Sequence, residues 1–213
     1  MNKQIERQLA AVQQEMESRP AGLLNHVRRV ADEAGALARY WDVDPQRVAL
    51  ASWGHDLFRH LPPAQQLEHA RQVGIKPDED DERSPIVLHG PIAAAVLRDR
   101  FRVVDDDVLE AIEAHTLGIP HMTQIAKIIL IADKVEPGKR RNRPSMGAIR
   151  HVARRDLDLA LLCWSDWSWI EAVAHGWKSH PGHWIAREDW VAQHHYDIAM
   201  PGLLTDEEFE AVR

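Results

Sequence analysis

The chain has 213 residues, which is enough for one domain with a sizeable hydrophobic core that does not depend on metals or disulfides. Its 33 acidic and 26 basic side chains give a net charge of -7, which argues against a long basic face for nucleic acid. A single cysteine, Cys163, excludes an internal disulfide and any CxxC motif. With no signal peptide and no apolar run near the ~20 residues that span a bilayer, we expect a soluble, cytoplasmic protein.

Helical patterns recur along the first half of the chain, where strand signals are nearly absent. Apolar residues at helical spacing predict helices over residues 5–16 and 23–37. An Asp-Pro pair, a favourable cap and first turn, predicts a third helix over 45–55. A short helix over 64–73 follows. The acidic stretch KPDEDDERSP, residues 76–85, is interpreted as a solvated connector.

The second half is also helical. HGP at its start predicts a helix over 89–101, because the missing N–H of proline is harmless in a first turn. Three aspartates favour the positive end of a helix over 105–115. Thr123 can cap another helix, over 124–136, which ends at a Pro-Gly pair. The only dense basic run, KRRNR, occupies 139–143.

Three polar residues lie on or beside apolar helical faces. His26 borders the inward stripe of its helix, and His115 lies four residues after Ala111 on the apolar face. Asp133 lies within the apolar run IILIADK, where an unpaired carboxylate would cost several kcal/mol. Asp133 is therefore expected to be protonated, paired or bound to a cation. For any one of the histidines, a hydrogen-bonded core position is the simpler interpretation.

Taken together, the histidines and aspartates favour a metal site. Imidazole nitrogen and carboxylate oxygen are ligands for divalent iron, manganese, zinc and cobalt, and the lack of thiolates argues against a structural zinc. A carboxylate can bridge two metals while a neighbouring imidazole holds one. The dipeptide His55-Asp56 supplies this pair for a two-metal site.

The order His26, His55-Asp56 and Asp133 resembles the H...HD...D signature of the HD-domain metal phosphohydrolases, an all-helical superfamily. More narrowly, HDLFRH, LHGP, AIEAHTLG and IADKVEPG resemble the successive motifs of its YqeK-like branch of symmetrical dinucleoside tetraphosphatases. The resemblance covers residues from about 23 to about 162. It implies an all-α fold, with an HD-domain helical bundle over 1–162. Beyond it, helix signals and the shift in composition predict a Trp-rich helical C-terminal extension over 163–213.

The resemblance also implies a dinuclear site and a reaction. The two divalent ions are expected to be iron, with manganese or cobalt as alternatives. One ion would be bound by His26, His55, Asp56 and Asp133, and Asp56 would bridge to a second ion bound by His89 and His115. The implied reaction is hydrolysis of diadenosine tetraphosphate to two ADP by metal-activated water, without a side-chain nucleophile.

The substrate brings about four negative charges, so the resemblance also implies local cations. The predicted substrate-binding residues are Arg59, Thr116, Lys134, Lys139 and Arg140, and those predicted to act directly in catalysis are Asp56, Arg59 and Lys134. The solvated end of a helix is an alternative for Arg59 and Lys134. Family members have an arginine two residues after the EP dipeptide, where this chain has Lys139 with Arg140 next, so either could bind phosphate.

The resemblance does not explain the C-terminal extension, in which six of the eight tryptophans lie between residues 164 and 190. We expect them to pack short helices onto the domain or across a homodimer interface, with stacking on a nucleobase as the alternative. Thr205 and Glu208 predict a capping box. HPGH at 180–183 and His194-His195 are interpreted as surface residues.

Two other functions remain open at this point. The same site could act on another nucleotide, such as a nucleoside mono- or triphosphate. Alternatively, the chain could be a metal-holding regulatory or RNA-associated module without turnover, which only the basic run 139–143 supports. The cyclic-dinucleotide branch is disfavoured because the chain lacks its GYP motif. We expect a small nucleotide partner and neither a membrane nor a nucleic acid.

Overall fold

Helices account for all the regular secondary structure of residues 2–193, the part of the chain that the computed structural model describes. This confirms the predicted all-α fold. A 3-10 helix, Pro85–Leu88, lies between α5 and α6. The α-helices are α1 Lys3–Glu17, α2 Ala21–Tyr40, α3 Pro45–Gly54, α4 Pro63–Gln72, α5 Glu79–Arg83, α6 His89–Asp99, α7 Asp106–Ala114, α8 Gln124–Val135, α9 Pro137–Asn142, α10 Ser145–Ala153, α11 Leu157–His175 and α12 Pro181–Gln193.

Helix α8 is the central helix of the fold. Nine of its 12 residues are buried, so it is apolar around almost its whole circumference. Such a helix has to be surrounded by others, and α8 packs against α2, α3, α7, α10 and α11. The one acidic side chain among its buried residues is Asp133. The packing therefore places this carboxylate at the centre of the bundle.

The helix caps predicted at Asp44 and Thr123 are present, and Asp105 is a third. The side chain of Asp44 accepts hydrogen bonds from the backbone N–H groups that open α3. Asp105 does the same for α7, and Thr123 does so for α8. Each cap satisfies N–H groups that a helix leaves without internal partners. The starting points of α3, α7 and α8 are thus determined by local sequence.

The acidic connector at 76–85 differs from its prediction. Residues Glu79–Arg83 form helix α5, and Asp78 and Asp81 close a reciprocal capping box at its start. Four acidic residues in the first turn also suit the positive end of a helix. The prediction of a connector without secondary structure was therefore wrong. The acidic side chains that favour exposure to water also stabilise the start of a helix.

The tryptophans of the C-terminal part differ in their exposure to solvent. Trp164 and Trp190 are buried, whereas Trp169 and Trp177 are more than half exposed. Helix α11 runs through residues 162 and 163, the proposed domain boundary, and packs on α8 and α10. The predicted capping box of Thr205 and Glu208 lies outside the described residues. Across residues 2–193, no helix combines the length and apolar character needed to cross a membrane.

Replacing Asp105 by Ala is expected to lower the free energy of unfolding by about 1–2 kcal/mol. Asp105 caps α7 and also accepts two hydrogen bonds from Arg47 of α3, at 2.7 and 2.6 Å. Urea unfolding followed by circular dichroism measures the loss. Asp106→Ala is the control, because Asp106 is exposed and does not cap the helix.

The loss should depend on pH. The hydrogen bonds from Arg47 lower the pKa of Asp105 below its usual value. A lowered pKa in the folded protein contributes stability at neutral pH that disappears as the pH falls through that pKa. The difference between wild type and Asp105→Ala should therefore narrow below about pH 4. An equal loss in Asp106→Ala would contradict this role for Asp105.

Candidate metal centre

Six histidine and aspartate side chains converge beside α8, and they are the six that the sequence selected as metal ligands. Five of them are buried, and His26 is largely buried, with 14 % of its side chain exposed. We call them the His-Asp cluster. It consists of His26 on α2, His55 and Asp56 directly after α3, His89 at the start of α6, His115 directly after α7 and Asp133 on α8.

A close contact between α6 and α7 brings two of the histidines together. A Cβ atom on Gly90 would lie 2.8 Å from the backbone oxygen of Ile112 and 3.1 Å from the His115 ring. Only glycine lets the two helix ends approach this closely. As a result, the Nε2 atoms of His89 and His115 lie 2.9 Å apart. This contact gives the HGP motif a structural reason.

The rings of three histidines are oriented by the backbone. Nδ1 of His55 lies 2.6 Å from the carbonyl oxygen of Ser52, and Nδ1 of His115 lies 2.7 Å from that of Ile112. His89 makes the same contact three residues back, to Ile86. A carbonyl oxygen can only accept, so each Nδ1 carries a proton, and Nε2 is the nitrogen that each ring turns toward the inside of the cluster. This is the arrangement that a metal-binding imidazole needs.

Asp56 joins the two halves of the His-Asp cluster. Its Oδ1 atom lies 3.0 Å from Nε2 of His89 and 3.4 Å from Nε2 of His115. Its Oδ2 atom lies 3.4 Å from Nε2 of His26 and 3.6 Å from Nε2 of His55. One carboxylate oxygen therefore faces each pair of histidines. Potential ligand atoms of His26, His55 and Asp56 form one compact group, and those of Asp56, His89 and His115 form another.

Divalent cations fit these two groups. Both oxygens of Asp56 and Nε2 of His55 are buried without a hydrogen bond of acceptable geometry to any residue between 2 and 193. Such atoms are costly unless something binds them. Nε2 of His89 and Nε2 of His115, only 2.9 Å apart, also need a proton or a metal ion between them. Nitrogen and oxygen donors of this kind bind borderline divalent metals.

Burial and charge keep four members of the cluster, His55, His115, Asp56 and Asp133, in the protonation state that a metal requires. Burial lowers the pKa of His55 and takes the pKa of His115 down to about 3. Burial alone would raise the pKa of Asp56, but the surrounding imidazoles outweigh it and hold this pKa well below its usual value. For Asp133, burial would likewise raise the pKa, but the Lys134 ammonium and a hydrogen bond from His26 outweigh it and lower this pKa. Neutral rings therefore face ionised carboxylates at neutral pH.

His26 differs from the other three histidines. Burial lowers its pKa, but a hydrogen bond to Asp133 and the charge of that carboxylate outweigh burial and raise it. Nε2 of His26 lies 3.0 Å from Oδ1 of Asp133. A cation bound between these two atoms would take the place of the proton they share, which is the usual coupling between metal binding and proton release.

Three of the predicted substrate-binding residues border the cluster. Nζ of Lys134 lies 2.6 Å from Oδ2 of Asp133. Nε of Arg59 lies 3.7 Å from Oδ2 of Asp56, and 40 % of this side chain is exposed. Oγ1 of Thr116 lies 3.2 Å from Nε2 of His115. Two cations and one hydroxyl therefore lie next to three different residues of the cluster.

The side chains of Lys139 and Arg140 have different surroundings. Lys139 lines a cavity of about 420 Å³ together with His26, Arg29 and Glu136, and burial lowers its pKa. Arg140 is not among the residues that line this cavity, and its Nη2 lies 3.7 Å from Glu33. Of the two alternatives, Lys139 is the one beside the His-Asp cluster.

Sequence reasoning missed a buried carboxylate next to the cluster. Oε1 of Glu136 lies 3.3 Å from Nδ1 of His26, and Oε2 lies 2.5 Å from Nε of Arg29. Glu136 also caps α9 by accepting from the N–H of Gly138 at 2.6 Å. The hydrogen bonds from Arg29 and Gly138 outweigh burial and lower its pKa. The signal available in the sequence was Glu136 before Pro137, the residue pair of a helix cap.

The C-terminal histidines are not simple surface residues. His183 is buried, and its Nε2 lies 3.0 Å from Oγ of Ser165, so the surface interpretation of this residue was wrong. His180 is largely buried beside Asp81, with which it forms part of a further His-Asp group. Nδ1 of His180 accepts from the Gly182 N–H, which leaves a hydrogen rather than a lone pair on Nε2. The pair His194-His195 lies outside the described residues.

Comparison with known proteins identifies relatives of the chain. Residues 23–138 match the family model of the HD domain. A symmetrical bis(5'-nucleosyl)-tetraphosphatase of Staphylococcus aureus is 37 % identical over 137 residues, covering 64 % of this chain and 69 % of the relative. The protein of that name in Bacillus subtilis is 31 % identical over 140 residues, covering 64 % and 72 %.

A solved structure is similar over most of the fold. It is described as a "predicted HD superfamily hydrolase involved in NAD metabolism" from Clostridium acetobutylicum. The TM-score is 0.80 at 29 % sequence identity, and the similarity covers 86 % of this chain and 97 % of the other. It therefore extends well beyond the residues that match the family model.

Proposed function

Because the chain belongs to the HD domain family, we propose that it is a metal-dependent hydrolase that cleaves symmetrical dinucleoside tetraphosphates, with diadenosine tetraphosphate giving two ADP. Two curated relatives at 31–37 % identity carry the name of this activity. The observation that supports it most directly is the position of Asp56, whose two carboxylate oxygens each face one pair of inward histidines. That arrangement suits a centre with two ions.

We propose that both ions are divalent and that iron is the metal, with manganese or cobalt as alternatives. The first would be held by His26, His55, Asp56 and Asp133, and the second by Asp56, His89 and His115. When bound, such ions lower the pKa of water and neutralise charge on the attacked phosphoryl group. The ligand set suits this role because it contains only nitrogen and oxygen donors.

The remaining residues of the site would bind and orient the phosphate chain. Lys134 and Arg59 lie beside Asp133 and Asp56, so their positive charges are next to the cluster. Lys139 would meet the chain from the cavity beside His26, and the hydroxyl of Thr116 can donate to a phosphate oxygen. Together with the two metal ions, these three cations would offset about four negative charges on the substrate. Orientation by fixed donors is the main protein contribution to such reactions.

A second candidate is hydrolysis of another nucleotide at the same site. It is favoured by the similar Clostridium acetobutylicum protein, which is described as a hydrolase involved in NAD metabolism.

A cytoplasmic location and a homodimer stay predictions, as does the division of the chain at residues 162 and 163.

The direct test is product analysis with a panel of nucleotides. Purified protein loaded with Fe²⁺ under anaerobic conditions, or with Mn²⁺, should convert diadenosine tetraphosphate to ADP alone. Chelation of the metal should stop the reaction. Equal amounts of AMP and ATP would instead show asymmetric cleavage and contradict the proposal. Faster turnover of a nucleoside mono- or triphosphate would favour the second candidate.

A further inference from the structure

The segment Thr116–His121 joins the proposed ligand His115 to the start of α8, and helix α12 binds its backbone at three points. Nδ1 of His183 lies 3.1 Å from the carbonyl oxygen of Leu117. Nε1 of Trp190 donates to the carbonyl oxygen of Ile119 at 3.0 Å. Oδ2 of Asp189 accepts from the backbone N–H of His121 at 2.9 Å. Polar groups of one helix thus hold alternate residues of this segment.

Packing against the Trp190 ring shapes the same segment. Gly118 has φ +78°, a conformation that favours glycine. A Cβ atom on Gly118 would lie 2.4 Å from Cζ2 of Trp190. The segment therefore bends sharply, three residues after His115, where its backbone meets the buried indole ring.

The ring of His183, which is buried between α12 and the same segment, has a defined orientation. Its Nδ1 donates to the carbonyl oxygen of Leu117, so its Nε2 must accept from the hydroxyl of Ser165 on α11. Its ring packs edge-on against Trp164 and Trp184, with centroids 4.9 and 4.7 Å away. His183 therefore links α11 and α12 to the backbone two residues after His115.

Trp164 of α11 supports the cluster from the same side. Nζ of Lys134 lies 5.3 Å from the centre of the Trp164 ring and donates to the carbonyl oxygen of His115 at 3.2 Å. The same ammonium contacts Asp133. Trp164 therefore lies against the ammonium that bonds the backbone of His115, and Trp190 lies against the backbone of Gly118 and Ile119.

We propose that His183 and Trp190 are positioning residues that hold His115 and Thr116 in place through the backbone of Thr116–His121. The proposal rests on the proposed role of His115 as a ligand of the second ion. Packing of apolar surface alone would not require hydrogen bonds to the backbone of three alternate residues of one segment. The Trp-rich extension, which the family motifs leave unexplained, is on this view part of the metal centre.

The test compares two substitutions of His183 in the full-length protein. His183→Leu keeps most of the side-chain volume but removes the donor to Leu117. His183→Asn keeps an N–H donor close to the position of Nδ1. His175→Leu on α11 is the matched control, because His175 is exposed, hydrogen-bonds to Glu171 of its own helix and stacks on the exposed Trp177.

Each protein is dialysed against graded Mn²⁺, and the ions bound per chain are counted by mass spectrometry. His183→Leu should lower the affinity for the second ion about tenfold or more, while the first ion stays bound. Removal of a supporting hydrogen bond has an effect of this size at other metal sites. His183→Asn should restore most of the loss, and His175→Leu should match wild type. A general structural defect would lower the affinity for both ions, and His183→Asn would then bind metal no better than His183→Leu.

If His183→Leu does not fold, Trp190→Phe serves instead, since it keeps an aromatic ring but loses the N–H bonded to Ile119. Unchanged binding of both ions by the folded variants would overturn the proposal, and so would a wild-type protein that holds only one ion. Neither result depends on the substrate. A protein that binds two ions and shows the His183 effect without cleaving tetraphosphate would contradict only the proposed function.

Discussion

Replacing Asp56 by Asn is expected to abolish hydrolysis and to reduce the bound metal from two ions to less than one per chain. The reason is that Asp56 belongs to both halves of the His-Asp cluster, with one carboxylate oxygen facing each. Asparagine keeps the size of the side chain but loses the charge and one of the two acceptor oxygens. Loss of several kcal/mol of transition-state stabilisation should lower the rate at least about a thousandfold.

The matched comparison is Asp133→Asn. Asp133 is also a buried carboxylate of the cluster, but it contacts only His26 among the four histidines, at 3.0 Å. It should therefore cost one ion and leave the ion between His89 and His115 in place. Metal counting by mass spectrometry and product formation from diadenosine tetraphosphate measure the two effects. A fully loaded, active Asp56→Asn protein would show that this carboxylate does not bridge the ions.

Local sequence was sufficient for seven helices of the bundle and for the buried positions of His115 and Asp133, while the family resemblance completed the set of ligands. The caps Asp44, Asp105 and Thr123 start their helices because a side-chain oxygen can reach N–H groups only a few residues away. The apolar run around Asp133 indicated a buried carboxylate, and the structure places it in a central helix. These are short-range properties, so they can be read without knowledge of the fold.

The contacts that support the cluster could not be read in this way. Glu136 lies 110 residues from His26 in sequence, and His183 lies 66 residues from Leu117. No spacing rule connects such pairs, because the packing of helices decides which side chains meet. The choice between Lys139 and Arg140 also depended on the fold, since two successive residues of α9 face different surroundings.

The second large effect is expected from Glu136→Ala, which should lower affinity for the ion on the His26 side by about ten- to a hundredfold. Glu136 is 1 % exposed and accepts from Arg29, from the Gly138 N–H and from Nδ1 of His26. With a carboxylate at Nδ1, the proton stays there and Nε2 is available to a metal. Without it, His26 can turn or exchange its proton between the two nitrogens.

The control is Glu33→Ala, which removes a carboxylate of similar surroundings away from the cluster. Glu33 is 5 % exposed, and its Oε1 lies 2.5 Å from Nε of Arg150, as Oε2 of Glu136 lies 2.5 Å from Nε of Arg29. Both variants should lose stability, because each leaves an arginine without its partner. Only Glu136→Ala should lose metal, and Glu136→Gln, which keeps an acceptor oxygen, should retain more of it.

The two supporting residues should have opposite selectivity. Glu136→Ala should weaken the ion at His26 and spare the ion at His115, whereas His183→Leu should do the reverse. Equilibrium dialysis with Mn²⁺ measures both affinities in each protein. If Glu136→Ala and Glu33→Ala bound metal equally well, the contact between Glu136 and His26 would be structural only. Opposite losses in the two variants would show that each half of the cluster has its own support, joined only through Asp56.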